Sequence, residues 1–260
     1  MAIQTEDGLA NLDCHVASLL AMTSHFVHND GLELWSHKKY SKSMPQFFMP
    51  SKSEMSPVER DYSETARYLG YQKITVPDEQ ISELIKVAAD EMLEVIKPQA
   101  VYEQFDLRVE YDEAAGTGLV EFSDVKIPSK DLARNLRDCR QVVIFASTLG
   151  PQCDQLIRRT QVKDQVKAAV FQATGAMYIE KCVDLLNEKI RQEAEAQGKK
   201  VRPRFSPGFG DVSLEVQKDF FRLLPCNRIG LTLMDTLIMS PEKSVTAFIG
   251  VLRQAQEPQT

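Results

Sequence analysis

From Pro77 to Pro98, apolar residues return every three or four positions, at Ile81, Leu84, Ile85, Ala88, Met92, Val95 and Ile96. That spacing predicts one long helix, opened by the first proline and closed before the second. Ser63 to Tyr71 reads as a shorter helix ending at Gly70. The period then changes to two. Phe105 to Tyr111 alternates, Gly116-Thr117-Gly118 turns, and Leu119 to Phe122 returns, which is the pattern of an antiparallel hairpin. Ser129 to Arg137 is a further short helix. Val142 to Ala146 is then apolar without a break, as in a strand covered on both faces, and it is the expected central strand. Gly150-Pro151 ends that segment and starts the next helix.

A long helix comes next, from about Lys163 to Gln197, closed by Gly198. Val166, Ala169, Ala173, Ala176, Glu180 and Val183 step along one face of it. Glu180 interrupts the alanine stripe. Either it is partly desolvated and in want of a cationic donor, or it sits at the edge of the stripe and reaches solvent. Val216, Phe220, Phe221, Leu223 and Leu224 make one more amphipathic helix, closed by Pro225, and Ile229–Met234 and Val245–Leu252 read as strands. Strands separated irregularly by helices predict an α+β fold, a twisted and mainly antiparallel sheet with flanking helices on one side.

Residues 1–57 differ in composition from the rest of the chain. They hold all four histidines (His15, His25, His28, His37) and the single tryptophan, Trp35, with one short helix near Val16–Met22 and a loop-like stretch from Ser41 to Pro57. We expect a loosely ordered N-terminal extension (1–57), a domain (58–253) and a polar tail (254–260). His25, His28, His37 and Cys14 are zinc-ligand types, but structural zinc sites pair cysteines at tighter spacing, so no metal is expected. The net charge of −6 argues against a nucleic-acid partner. No apolar run reaches membrane-spanning length, and Glu6 and Asp7 stand where a signal peptide would be basic, so the expected location is cytoplasmic. The five cysteines are scattered and read as reduced thiols. With no histidine after His37, and neither a P-loop nor a G-x-G-x-x-G pattern, the domain shows no catalytic residue of its own.

The unusual residues are concentrated between Lys199 and Lys218. Lys199, Lys200, Arg202 and Arg204 stand beside two prolines and two glycines, so positive charge is carried on a backbone with few conformations. Pro207-Gly208 suits the two central positions of a type II turn. Gly208 lets a ligand approach the main chain, and the Arg204 fork suits a carboxylate. Asp211 or Ser213 is placed to cap a helix whose first turn holds Glu215. The plainer reading is a basic connection between two helices.

The run Arg204-Phe205-Ser206-Pro207-Gly208-Phe209-Gly210-Asp211 resembles the arginine-x-x-x-glycine-tyrosine loop of the activation domain of cobalamin-dependent methionine synthase. Ala146 to Gly150, Gly230 to Leu233, Met239-Ser240-Pro241 and Lys243 to Thr246 resemble further segments of that domain, and Arg67 to Tyr71 resembles the opening of its free-standing forms. The resemblance spans about Asp61 to Val251. It implies that the loop binds S-adenosylmethionine, with Arg204 on the carboxylate, main-chain groups around Ser206 and Gly208 on the adenine side, and Phe209 covering a ring. It also implies an acidic contribution from Glu180. The cobalamin would be supplied by a partner, a separate methionine synthase or related corrinoid protein, whose oxidised cofactor is reductively remethylated during methionine biosynthesis with electrons from a flavodoxin or ferredoxin. Phe209 replaces the family's tyrosine, keeping a stacking face and losing a hydroxyl donor. The family's paired tyrosines beyond the last matching strand have no counterpart before Thr260, so a shallower site is expected. Another reading remains: a module that docks on a corrinoid protein without binding S-adenosylmethionine.

Overall fold

The computed structural model describes residues 44–72 and 75–252. The histidines, Cys14, Trp35, the helix expected near Val16 and the polar tail lie outside the described residues. The main sheet is antiparallel at every pairing. Its spine is β2 (Gln99–Asp112), whose first half pairs with β5 (Cys139–Thr148) and whose second half pairs with β3 (Thr117–Phe122). Beyond β3 lies β4 (Val125–Pro128). Beyond β5 lie β9 (Ser244–Leu252) and the two-residue β6 (Lys200–Val201). Pairing between sequence neighbours and between distant strands together gives the α+β arrangement that the irregular order of elements predicts.

Both faces of the sheet are covered, which differs from the expectation of helices on one side only. On one face, Val101, Phe105, Val142, Ile144, Ala146 and Phe248 pack against α4 (Lys130–Leu136) and α7 (Gln217–Leu223). On the other, Val143, Phe145, Ala247 and Ile249 meet Val183, Leu186 and Ile190 of α6 (Gln165–Glu195). Side chains of a strand alternate between faces. A stretch buried on both must therefore be apolar, and Val142–Ala146 of β5 is. The first half of α6 packs instead on α2 (Glu59–Tyr68), α3 (Glu79–Val95) and α5 (Pro151–Lys163), where the Tyr178 hydroxyl donates to the Ala89 carbonyl at 2.9 Å.

Two segments depart from the sequence reading. Ile229–Met234 is not a strand of the main sheet. Cys226–Ile229 forms a 3-10 turn that ends at Gly230 with φ of 68°, and only β7 (Thr232–Leu233) is extended, pairing with β8 (Met239–Ser240) in a separate two-stranded ribbon. The left-handed glycine breaks the extended chain, so Ile229 and Leu231 enter the core from a bend. The loop-like stretch before Pro57 contains β1 (Gln46–Phe48), paired with β2, and α1 (Lys52–Met55), whose Met55 is buried. Both elements are too short to show a period. A capping box between Ser51 and Glu54 starts the helical turn locally.

Phe248 joins the sheet to α7, its ring 4.8 Å from Phe220 and 5.9 Å from Phe122, both edge-on. Truncation to alanine leaves a cavity between three elements. Phe248→Ala should lose about 3–5 kcal/mol in urea unfolding, whereas Val87→Ala, on the exposed side of α3, should change stability by less than about 0.5 kcal/mol.

Candidate functional site

The stretch from Lys200 to Phe205 runs along the free edge of β9. Lys200 and Val201 pair with Leu252 and Val251, the Arg202 N–H donates to the Gly250 carbonyl at 2.8 Å, and Phe205 exchanges hydrogen bonds of 2.9 and 2.8 Å with Phe248. An extended chain sends successive side chains to opposite faces. Phe205 therefore packs with the core of α4 and α7, and Arg204 turns the other way, toward α6. There its Nη1 donates to Asp184 at 2.8 Å, and its Nη2 donates to Glu180 in a very short contact. Glu180 and Asp184 are four residues apart, hence on one helix face, where two carboxylates repel unless a cation lies across them.

The three groups differ in exposure. The Arg204 side chain is 29% exposed, Glu180 38% and Asp184 56%. Burial pushes the Glu180 carboxyl above the ordinary glutamate range, and Asp184 pushes it the same way, while Arg204 and, more weakly, Arg67 pull it down. Arg67 stands at the end of α2, stacked over the Tyr68 ring at 4.4 Å and donating to Glu64 at 2.8 Å. Of the two readings left open for Glu180, the structure combines parts of both: it keeps some contact with solvent and it has a cationic partner.

After Phe205 the chain turns. The Phe209 N–H donates to the Ser206 carbonyl at 3.3 Å, with Gly208 at φ of 87°, so Ser206 to Phe209 form the tight turn that Pro207-Gly208 predicts. A Cβ at Gly208 would lie 3.2 Å from Leu214 Cδ1. Phe209 leaves the turn 48% exposed, an uncommon position for a phenylalanine. Ser213 caps a 3-10 turn, Leu214–Val216, that leads into α7. Asp211 caps neither of these, and reaches across to α4 instead.

Arg204, Ser206, Gly208, Phe209 and Glu180 are thus carried by one loop and the helix facing it. Asp184 was missed in the sequence, although its place one turn after Glu180 was the signal. The four cysteines among the described residues are buried free thiols, and burial pushes Cys153 and Cys226 up to about 12 and Cys182 to about 11, which removes them as nucleophiles. A cleft of about 240 Å³ lies elsewhere, lined by Tyr102, Val143, Ile190, Glu193 and Lys199. Glu193 is roughly 20 Å along α6 from Glu180. Apart from Lys199, at the start of the basic stretch, that cleft is lined by none of its residues, and the chemistry argued from Arg204 takes precedence over its volume.

Because Glu180 binds its proton more tightly in the folded chain, its contribution to stability is present at pH below the ordinary glutamate value and is lost as the pH rises through the raised one. Carboxyl titration by NMR should find Glu180 above ordinary glutamates, and Arg204→Ala should raise it further. A titration unmoved by that substitution would mean the pair does not form in solution.

No protein-family model matches the chain, and no curated protein matches it. Among solved structures, the MetH reactivation domain bound to AdoHcy is similar to it, with a TM-score of 0.58 over 82% of this chain and 80% of that one, at 13% sequence identity. That likeness establishes the fold: the chain is a mixed helix and antiparallel-sheet domain built like a MetH reactivation domain.

Proposed function

We propose that this protein binds S-adenosylmethionine and presents it to the reduced cobalt of a separate corrinoid protein, a cobalamin-dependent methionine synthase or a relative, so that an inactive cofactor is remethylated. The observation that carries the reading is the juxtaposition of Arg204 with Glu180 and Asp184 beside a proline-glycine turn that ends in a half-exposed phenylalanine. The amino-acid end of the ligand has a carboxylate and an ammonium group, and one guanidinium next to two carboxylates offers a counter-charge to each. Gly208 is exposed at the turn, so an adenine edge can approach its main chain, and Phe209 offers a ring face. The likeness to a domain solved with AdoHcy supports the same class of ligand.

When bound, S-adenosylmethionine supplies a methyl group on a sulfonium, an electrophile for reduced corrinoid cobalt. The chain's own part is positioning. Arg204 orients the carboxylate, the Ser206–Phe209 turn holds the adenosine, and the acidic pair keeps the site net negative, matching a ligand of net positive charge. Electrons come from a flavodoxin or ferredoxin in this reading, and the setting is the cytoplasm. No helix among the described residues is long and apolar enough to cross a membrane. One observation favours the reading in which the domain only docks on its corrinoid partner: the Arg204 fork is already engaged by carboxylates of its own chain.

Calorimetric titration separates the two. Wild type should bind S-adenosylmethionine, and Arg204→Ala should bind it about tenfold to a hundredfold more weakly, as the loss of a charge-assisted pair of about 1.5–3 kcal/mol requires. S-adenosylmethionine should also bind more tightly than uncharged-sulfur AdoHcy, and that preference should shrink as the pH falls and Glu180, with its raised pKa, takes up a proton. No heat at millimolar ligand would leave the docking reading in place. With an oxidised corrinoid partner, a reductant and S-adenosylmethionine, only the mixture containing this protein should recover the methylated corrinoid spectrum.

A further inference from the structure

The far end of the loop is fixed by one side chain. Asp211 accepts hydrogen bonds from the main-chain N–H of Lys130 at 2.7 Å and of Asp131 at 3.2 Å, and from the Ser129 hydroxyl in a very short contact. Ser129 Oγ in turn accepts from the Leu132 N–H at 3.0 Å. The first free donors of α4 are therefore satisfied jointly by its own cap and by a carboxylate 81 positions later in the chain. The adjoining main chain lies directly on the same turn, for a Cβ at Gly210 would stand 2.5 Å from Asp131 Oδ2 and 3.1 Å from Asp131 Cβ. At the other end of α4, Asn135 Nδ2 donates to the Pro203 carbonyl and Arg202 Nη2 donates to the Arg137 carbonyl, each at 3.4 Å.

The stretch from Arg202 to Asp211 is thus laid along α4, held loosely at its start and tightly at its end. Helix α4 is itself seated in the core, with Leu132, Ala133 and Leu136 fully buried. Within the Ser206–Phe209 turn Pro207 is buried while Gly208 and Phe209 are exposed; the Phe209 N–H closes the turn on the Ser206 carbonyl at 3.3 Å, and the Gly208 N–H donates onward to the Val212 carbonyl at 2.9 Å. The turn's orientation relative to Arg204 depends on where the chain is pinned on either side. Before the turn that is the edge of β9, and after it, Asp211 together with the buried Val212.

We propose that Asp211 is a positioning residue of the ligand loop: by capping α4 it holds the Ser206–Phe209 turn in the place where adenosine can be bound alongside the Arg204 pair. This rests on the S-adenosylmethionine reading above. The charge is what makes the anchor strong, since three donors converge on one carboxylate. Burial alone would raise the Asp211 carboxyl, yet the bonds from Ser129, Lys130 and Asp131 outweigh it and hold the pKa below the usual value, so the anchor stays charged throughout the neutral range.

The test uses the full chain, two ligands and two variants. 5′-Methylthioadenosine has the adenosine of S-adenosylmethionine without its amino-acid end. Arg204→Ala should weaken S-adenosylmethionine and leave methylthioadenosine unchanged. Asp211→Asn should weaken both by a similar factor, about tenfold, with the circular dichroism of wild type retained. Without ligand, amide exchange across residues 205–210 should also quicken in Asp211→Asn. Wild-type affinity for both ligands in that variant, or a loss confined to S-adenosylmethionine, overturns the proposal. If Asp211→Asn does not fold, Ser129→Ala removes one of the three donors and should move exchange and both affinities in the same direction; no movement overturns it equally. If wild type binds neither ligand, the functional reading fails, while the exchange measurement still decides whether Asp211 anchors the turn.

Discussion

The pairing of Lys200–Phe205 with the edge of β9 is the constraint on which the site depends. An extended strand has no freedom in the direction of its side chains once its register is set. Because the Phe205 main chain exchanges hydrogen bonds with Phe248, its ring is committed to the core under α4 and α7, and Arg204 is committed to the α6 side. A slip of one residue would bury the guanidinium and expose the ring. The hydrophobic demand of Phe205 thus aims Arg204, and the loop's chemistry depends on the sheet's packing.

The ion pairs that receive Arg204 are poor candidates for stabilising the fold. All three side chains keep substantial solvent contact, and exposed pairs are worth about 0–1 kcal/mol. Two acidic residues four apart on a helix also repel. The stripe that Glu180 interrupts is itself only partly buried, with Val166 and Ala169 exposed, and at Glu180 burial outweighs the attraction of Arg204, so the charged form is disfavoured there. On the function proposed above, the cluster is a set of charges held ready for exchange, in which the amino-acid end of the ligand takes over one half of each pair.

Much of the fold was legible because it obeys a period. The helices around Ile85 and Met177, the hairpin from Phe105 to Phe122 and the run through Ile144 each repeat long enough for burial to leave a pattern, and the structure has α3, α6, β2 with β3, and β5 at those places. What was not legible is what has no period. β1 and β6 have three and two residues, and their existence depends on partner strands far along the chain. Ile229–Met234 had strand composition but lost to Gly230, whose left-handed conformation turns the chain before an extended run can form. In the site, the Pro207-Gly208 turn was readable because its determinants are local. The partner of Asp211 was not, because nothing near Asp211 in the sequence points to Ser129.

The sheet's two covered faces explain why the loop can be both rigid and exposed. Each face has its own core, one with α4 and α7 and one with α6, and the Lys200–Asp211 stretch passes along the edge where they meet. A segment there can fasten to both: Arg204 to α6, Asp211 to the start of α4, and Phe205 to β9 between them. Three attachments to three elements leave Gly208, Phe209 and Gly210 facing solvent between them. Such a turn carries no titratable side chain, and burial raises the thiols of Cys182 and Cys226. What the three attachments give it is a fixed geometry, and on the function proposed above that is what a bound electrophile would need from this protein.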